Sequence, residues 1–280
     1  MNKQSIPSNT SAYTDTKDNP RISGFYFPLT NKRVTIIGLG GGGEIAMHLM
    51  RSGVGVLNLV DFDTLESGNL VRHVCGASKI GKNKAVAVKE LLEEYVGNEA
   101  IYATAHDWDI FKKQDEFRQL VKDSDLVIIA TDNDASRFFI NEVCTDNKVP
   151  AVFVSMFQNG RGGEVFVYIP GKACYACLAN YQGRQDFMEE YEKILEKADC
   201  SSARDVRAMP GIGIDQSFLS SLAARKTLDT LLLNEKHNLP KVGENWIIWS
   251  LFGIPGILEN HISSLQADLE KHEHCLSCSF

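Results

Sequence analysis

The stretch IIGLGGGGEIAMHLM, residues 36–50, constrains the fold of this chain more than any other. A short apolar run that begins at Arg33 gives way to glycines and then to apolar residues at helical spacing, Ile45 with Leu49 and Ala46 with Met50. Such a pattern is a buried strand, a tight turn and a helix, and the bare amides of a helix N-terminus receive phosphate groups. Gly53 closes the helix and VLNLVD makes a second strand. KNKAVAVKELLEEYV places Ala85, Val88, Leu92 and Tyr95 on one helical face, and DLVIIATD and PAVFVSMF are further buried strands. Strands alternating with helices over about 33–157 predict an α/β fold, Rossmann-like and doubly wound, with a mostly parallel sheet and a ligand crevice at the carboxyl ends of its strands.

The rhythm changes after residue 157. GGEVFVYIPG and NWIIWSLF read as strands of a mixed or antiparallel C-terminal part, and a helix is expected from about Asp215 to Leu233 on the strength of Phe218, Leu222, Leu228 and Leu232. The expected organisation is a polar N-terminal arm over 1–22 and one domain over 23–280. Within that domain lie a nucleotide-binding half over about 33–157, a crossing segment over about 178–214 and a C-terminal part over about 164–280.

A formal net charge of −7 provides no broad basic footprint, so nucleic acid is not an expected partner. No apolar run approaches the roughly 20 residues that cross a bilayer, and the first residues lack the apolar core of a signal peptide, so a cytoplasmic location is expected. Seven cysteines then argue against a disulfide framework. Four are organised as CYAC, Cys174 and Cys177, and CLSC, Cys275 and Cys278. If the fold brings the pairs together, four thiolates give closed tetrahedral coordination suited to structural zinc, with His272 and His274 as alternative ligands. Cys200 stands alone in the crossing segment, near Arg204 and Arg207, while Cys75 and Cys144 are expected to be structural.

The glycines fit either a hydride carrier or ATP, and Asp61 stands where an acid would hold a ribose. Asp63, Asn69, Arg72, Lys84 and the Asp132 of ATDN are left over by the hydride reading. Positioned cations and a carboxylate able to bind a metal are instead what an attack on a phosphate requires. Each has a plainer alternative: Arg72 and Lys84 as solvated charges, Asp132 as a cap for the turn before NDASRFF. His48 and His73 read as structural, and Asp107 and Asp109 as a solvated loop.

Taken in order, GLGGGGEIA, LVDFD, NLVRH, GKNK, ATDN, GGEVFVYIPGKACYACL and the late CLSC resemble the ubiquitin-activating-like adenylyltransferase family, of the ThiF, MoeB and HesA type. The resemblance covers about residues 33–280. It implies an enzyme that uses ATP to convert the C-terminal carboxylate of a small ubiquitin-like protein or peptide into an acyl-adenylate, working as a homodimer. By the same resemblance Gly38, Gly40, Gly41 and Gly43 form the nucleotide loop, Asp61 holds the ribose, Asn69, Arg72 and Lys84 hold the phosphates, Asp132 binds Mg2+, and Asp132 and Asn133 belong with them to the nucleotide site. Cys174, Cys177, Cys275 and Cys278 carry Zn2+, and Cys200 is the candidate acceptor of the activated group. Arg21 is the only residue before the first strand in a position to act as the family's cross-subunit arginine, and Gly68 stands where relatives commonly have serine. The alternative is a peptide-modifying adenylating enzyme of a natural-product pathway; a dinucleotide oxidoreductase and a non-catalytic partner subunit are further competing readings, the last disfavoured because such partners lose the arginine, lysine and aspartate retained here.

Overall fold

A computed structural model of the chain describes residues 28–96, 102–157, 160, 162–182, 212–254, 257–275 and 277–278. Arg21, Cys200, Arg204 and Arg207 lie outside the described residues. The strands are β1 (Arg33–Ile37), β2 (Val56–Val60), β3 (Tyr102–His106), β4 (Leu126–Ile129), β5 (Ala151–Met156), β6 (Gly162–Tyr168), β7 (Trp246–Ser250) and β8 (Ser263–Ala267). The helices are α1 (Leu39–Arg51), α2 (Lys84–Val96), α3 (Gln114–Lys122), α4 (Asp134–Asn147), α5 (Tyr175–Tyr181) and α6 (Gly213–Leu231). The sheet runs β3-β2-β1-β4-β5-β6-β7-β8. Its first five strands are parallel, and β6, β7 and β8 are added antiparallel.

Strands β2, β4, β6 and β7 are buried along their whole length, as expected of near-continuous apolar runs covered on both faces. One core packs Val34, Ile36, Leu57 and Leu59 against α1, α2 and α6 through Ile45, Leu49, Val88, Leu92 and Leu228. The other packs Ile37, Val127, Ile129 and Phe153 against α3, α4 and α5 through Phe117, Phe139, Val143 and Leu178. Each such side chain contributes about 2 kcal/mol by leaving water, so the two layers hold the sheet rigid beneath its loops.

Register fixes where the loops meet. Ile37 pairs with Val60 and with Ile129, and Val60 pairs with His106, so four parallel strands end at one level. β1 lies between β2 and β4, and the chain leaves these neighbours in opposite directions, which opens a crevice above β1. Gly38 is the first residue over that edge. Its φ is +83°, and a Cβ there would sit 2.7 Å from the carbonyl oxygen of Ala130, so only glycine makes this turn.

Among the described elements, β3, α3, α4, α5 and β8 are additions to the sequence-based outline. α6 begins and ends two residues earlier than expected, and Phe218 does not join its buried face: it is 51% exposed and stacks on Trp249. No described helix is long and apolar enough to cross a membrane.

Candidate active site

The crevice is a cleft of about 880 Å3. Among the residues expected to bind nucleotide, Gly38, Gly40, Gly41, Asp61, Asn69, Arg72, Lys84, Asp132 and Asn133 all line it. Gly43 does not. A Cβ at Gly43 would lie 2.9 Å from Val74 and 3.1 Å from Val88, so this glycine lets α1 approach those two side chains.

Asp61 sits at the end of β2 and is buried. Helix α1 has no side-chain cap from Gly38; instead Asp61 Oδ2 accepts the Leu39 amide at 2.7 Å and Oδ1 accepts the Asp63 amide at 2.8 Å. Burial pushes its pKa upward, against the opposing pull of the Lys84 ammonium and of these two amides. The carboxylate thus stands at the positive end of α1 with acceptor capacity to spare.

Lys84 opens α2. Asn83 caps that helix, its Oδ1 accepting the Ala85 amide at 2.8 Å, while its Nδ2 donates to the carbonyls of Asp61 and Asp63. That ties the end of β2 to the start of α2 and puts the Lys84 ammonium 2.9 Å from Asp63 Oδ2. Asn69 and Arg72 come from a one-turn 3-10 helix, Ser67–Val71, in which Asn69 Oδ1 accepts the Glu66 amide at 2.9 Å. The neighbouring His73 is buried, its Nδ1 accepting the Cys75 amide, and burial and the Lys84 charge hold its pKa down at about 4. His73 is a neutral structural histidine.

Beyond β4, Asp132 is exposed in the loop before α4. It is not the helix cap: Asn133 is, with Oδ1 accepting the Ser136 amide at 2.8 Å. The plainer role for Asp132 is therefore taken by its neighbour. Arg137 secures this loop from behind, donating to the Thr131 carbonyl through Nε at 3.1 Å and Nη2 at 2.7 Å. It pairs with Asp134 at 3.3 Å, and Asp134 also accepts the Tyr175 hydroxyl at 3.1 Å.

Several lining residues carried no signal in the sequence. Trp108, Asp109, Phe111 and Lys112 form one wall, so the loop expected to be merely solvated faces the cleft. Ser136, Arg137, Gln216, Leu219 and Ser220 form another. Arg137 could have been suspected from its place just after ATDN; nothing in the sequence marks Gln216.

The other candidate centre is closed. Cys174, Cys177, Cys275 and Cys278 place their sulfurs within 4.8 Å of one another, in an arrangement that could hold a metal ion. Three of the separations are 4.0 Å for 174–177, 3.6 Å for 174–275 and 3.6 Å for 177–278. Metal–sulfur bonds of about 2.3 Å in a tetrahedron require sulfurs about 3.8 Å apart, so the donors fit. Hydrogen bonds from Cys174 and Cys275 hold the Cys177 thiol far below its ordinary range, while its role as donor pushes Cys174 up. Neither His272 nor His274 belongs to this group. Cys75 and Cys144 are buried free thiols with pKa values raised by burial, Cys75 to about 11, as structural cysteines should be.

Together these features define a doubly wound α/β protein with a nucleotide-type cleft at the switch point of its sheet and a four-thiol knuckle on the antiparallel side. The chain belongs to the ThiF family, whose profile matches residues 24–252. Molybdopterin-synthase adenylyltransferase of Escherichia coli (strain K12) is 33% identical over 157 residues, which cover 55% of this chain and 61% of that protein. Ubiquitin-like modifier-activating enzyme 5 of Dictyostelium discoideum is 32% identical over 165 residues, covering 55% of this chain and 43% of that one. The matches thus span less than two thirds of these relatives' length. The solved E. coli MccB, crystallised with succinimide, superposes with a TM-score of 0.67 at 20% identity over 90% of this chain and 67% of that one, and so has the same fold.

Proposed function

We propose that the protein is an ATP-dependent adenylyltransferase that activates the C-terminal carboxylate of a small ubiquitin-like protein or a peptide, releasing pyrophosphate. The observation that carries this reading is the gathering of Asn69, Arg72, Lys84 and Asp132 around one cleft. Hydride transfer makes no use of them, whereas charge moving across phosphates does.

In this proposal the triphosphate lies over the turn at Gly38, Gly40 and Gly41, where the amides opening α1 receive oxygens. Asp61 accepts the ribose hydroxyls with the lone pairs that Leu39 and Asp63 leave over. Asn69, Arg72 and Lys84 hold the phosphates, Lys84 exchanging its ion pair with Asp63 for the nucleotide. A carboxylate oxygen of the acceptor attacks the α-phosphorus in line; the bond to the bridging oxygen breaks, and the pair of electrons leaves with pyrophosphate. Asp132 is the residue that would hold Mg2+, which supplies neutralisation of the phosphate charge. Asn133 contributes by fixing the start of α4 beside it.

The four cysteines would hold Zn2+ as a structural ion, with no open coordination position for chemistry. A later transfer of the activated group to Cys200 belongs to the same proposal, as do a homodimer and a cytoplasmic setting. The test is exchange of labelled pyrophosphate into ATP with candidate β-grasp proteins or peptides as acceptors. Exchange that depends on the acceptor's free C-terminus is expected; absence of exchange together with tight binding of a nicotinamide dinucleotide would overturn the reading.

A further inference from the structure

Gln216 lies on the first turn of α6, is 6% exposed, and still lines the cleft. Its Nε2 donates to the carbonyl of Gly40 at 3.2 Å and to the carbonyl of Arg72 at 3.1 Å. Both partners are carbonyl oxygens, so the orientation of the amide is fixed by chemistry: only the NH2 end can serve two acceptors. Its side-chain carbon also rests 3.5 Å from where a Cβ of Gly41 would stand. One side chain therefore joins three separate segments: the turn that opens α1, the loop that presents Arg72, and α6. At the start of the same turn Gly213 also approaches closely, a Cβ there falling 3.1 Å from the Val71 carbonyl oxygen. Ser220, one helical turn on, adds a bond to the Gly41 carbonyl at 3.4 Å.

We infer that Gln216 is the positioning residue of the triphosphate site, setting the spacing between the glycine turn and Arg72 so that both grip one nucleotide. The inference rests on the adenylyltransferase reading of the cleft. It follows from the loss of a tie: without the amide, the carbonyls of Gly40 and Arg72 lose the side chain that bridges them, and the two segments that carry them can separate and admit water. Arg72 then meets the phosphates from a shifted loop. The nucleotide grip weakens in ground and transition state alike, which appears in KM and not in kcat.

The experiment uses the full chain with Gln216→Leu and Gln216→Glu, binding of a non-hydrolysable ATP analogue by calorimetry, and pyrophosphate exchange. Leucine removes the donor; glutamate keeps the shape but turns a carboxylate toward two carbonyls, and regains one donor when protonated at lower pH. The expected results are about a tenfold weaker Kd and a correspondingly raised KM for Gln216→Leu, with kcat within about threefold. Gln216→Glu should bind more weakly still at pH 8 and recover toward the leucine variant as the pH falls. Wild-type affinity in both variants, or a loss confined to kcat, would overturn the inference, and so would unfolding of both, which would mark the amide as purely structural. Failure of the wild-type chain to bind the analogue would instead sink the adenylyltransferase reading, so the two failures are distinguishable.

Discussion

At the parallel end of the sheet, the polar side chains lining the cleft brace its backbone one bond at a time: Asp61 receives the amides of Leu39 and Asp63, Asn69 that of Glu66, Asn133 that of Ser136. At the antiparallel end, four thiols close on one another and leave nothing open. The first region is a set of separate braces around an exposed carboxylate and two cations. The second holds or fails as a unit. Damage to the cleft should therefore appear in chemistry with the fold intact, and damage to the knuckle in stability.

Asp132→Ala probes the cleft side most sharply. The carboxylate is exposed and caps no helix, so thermal unfolding should not move, while pyrophosphate exchange falls by about 10³-fold or more. A variant exchanging within tenfold of wild type would take Asp132 out of the metal role. On the other side, Cys177→Ser should abolish stoichiometric metal, measured by elemental analysis, and lower stability by about 3–4 kcal/mol in denaturant titration. A serine variant that keeps both its metal and its stability would break the contrast between the two regions.

A third test separates charge from packing beside the cleft. Buried His73 keeps its pKa at about 4, against 6.5 for the free side chain. As the pH drops below 6.5, the unfolded chain takes up this proton before the native protein does, so stability falls through the window from 6.5 to about 4 and levels below it. The loss is at most about 3–4 kcal/mol. His73→Gln, whose amide oxygen can accept the same Cys75 amide, should flatten that part of the profile. An unchanged slope in the variant would assign the pH dependence to other groups.

The smallest effect concerns the strut between the regions. Asn141 Oδ1 accepts the amide of Tyr175 beside the Cys174 thiol, and the Tyr175 hydroxyl reaches Asp134, which pairs with Arg137 behind the Asp132 loop. Tyr175→Phe should cost about 1 kcal/mol of stability and leave the metal in place, as measured by thermal unfolding and elemental analysis. Release of metal by this variant would mean the two regions are not separable.

The parts of this architecture that were legible in the sequence are those in which local pattern and global fold agree. The glycine turn, α1, the apolar strands β1, β2, β4 and β5 and the turn to antiparallel strands all follow from periodicity. β3 escaped because YATAH is an edge strand with one buried residue, and α3 because its core side reduces to Phe117 and Val121. β8 has no apolar alternation of its own and owes its place to pairing with β7. Phe218 misled because helical spacing names a face without saying what covers it.

The site divides in the same way. Asp61, Asn69, Arg72, Lys84 and Asp132 could be marked because each is a chemically distinctive residue at a strand end or just beyond one. Asn83 and Gln216 could not, since their work is to hold other segments' backbone, and a glutamine 144 residues from one of its acceptors carries no local trace of that bond.

The central claim is that the charges at 72, 84 and 132 surround a triphosphate whose α-phosphorus is attacked. Intact-mass analysis of a candidate acceptor after incubation with the protein, ATP and magnesium reads this directly. The account predicts an AMP group on the acceptor's terminal carboxylate, formed together with pyrophosphate; ADP with a phosphorylated acceptor would contradict it.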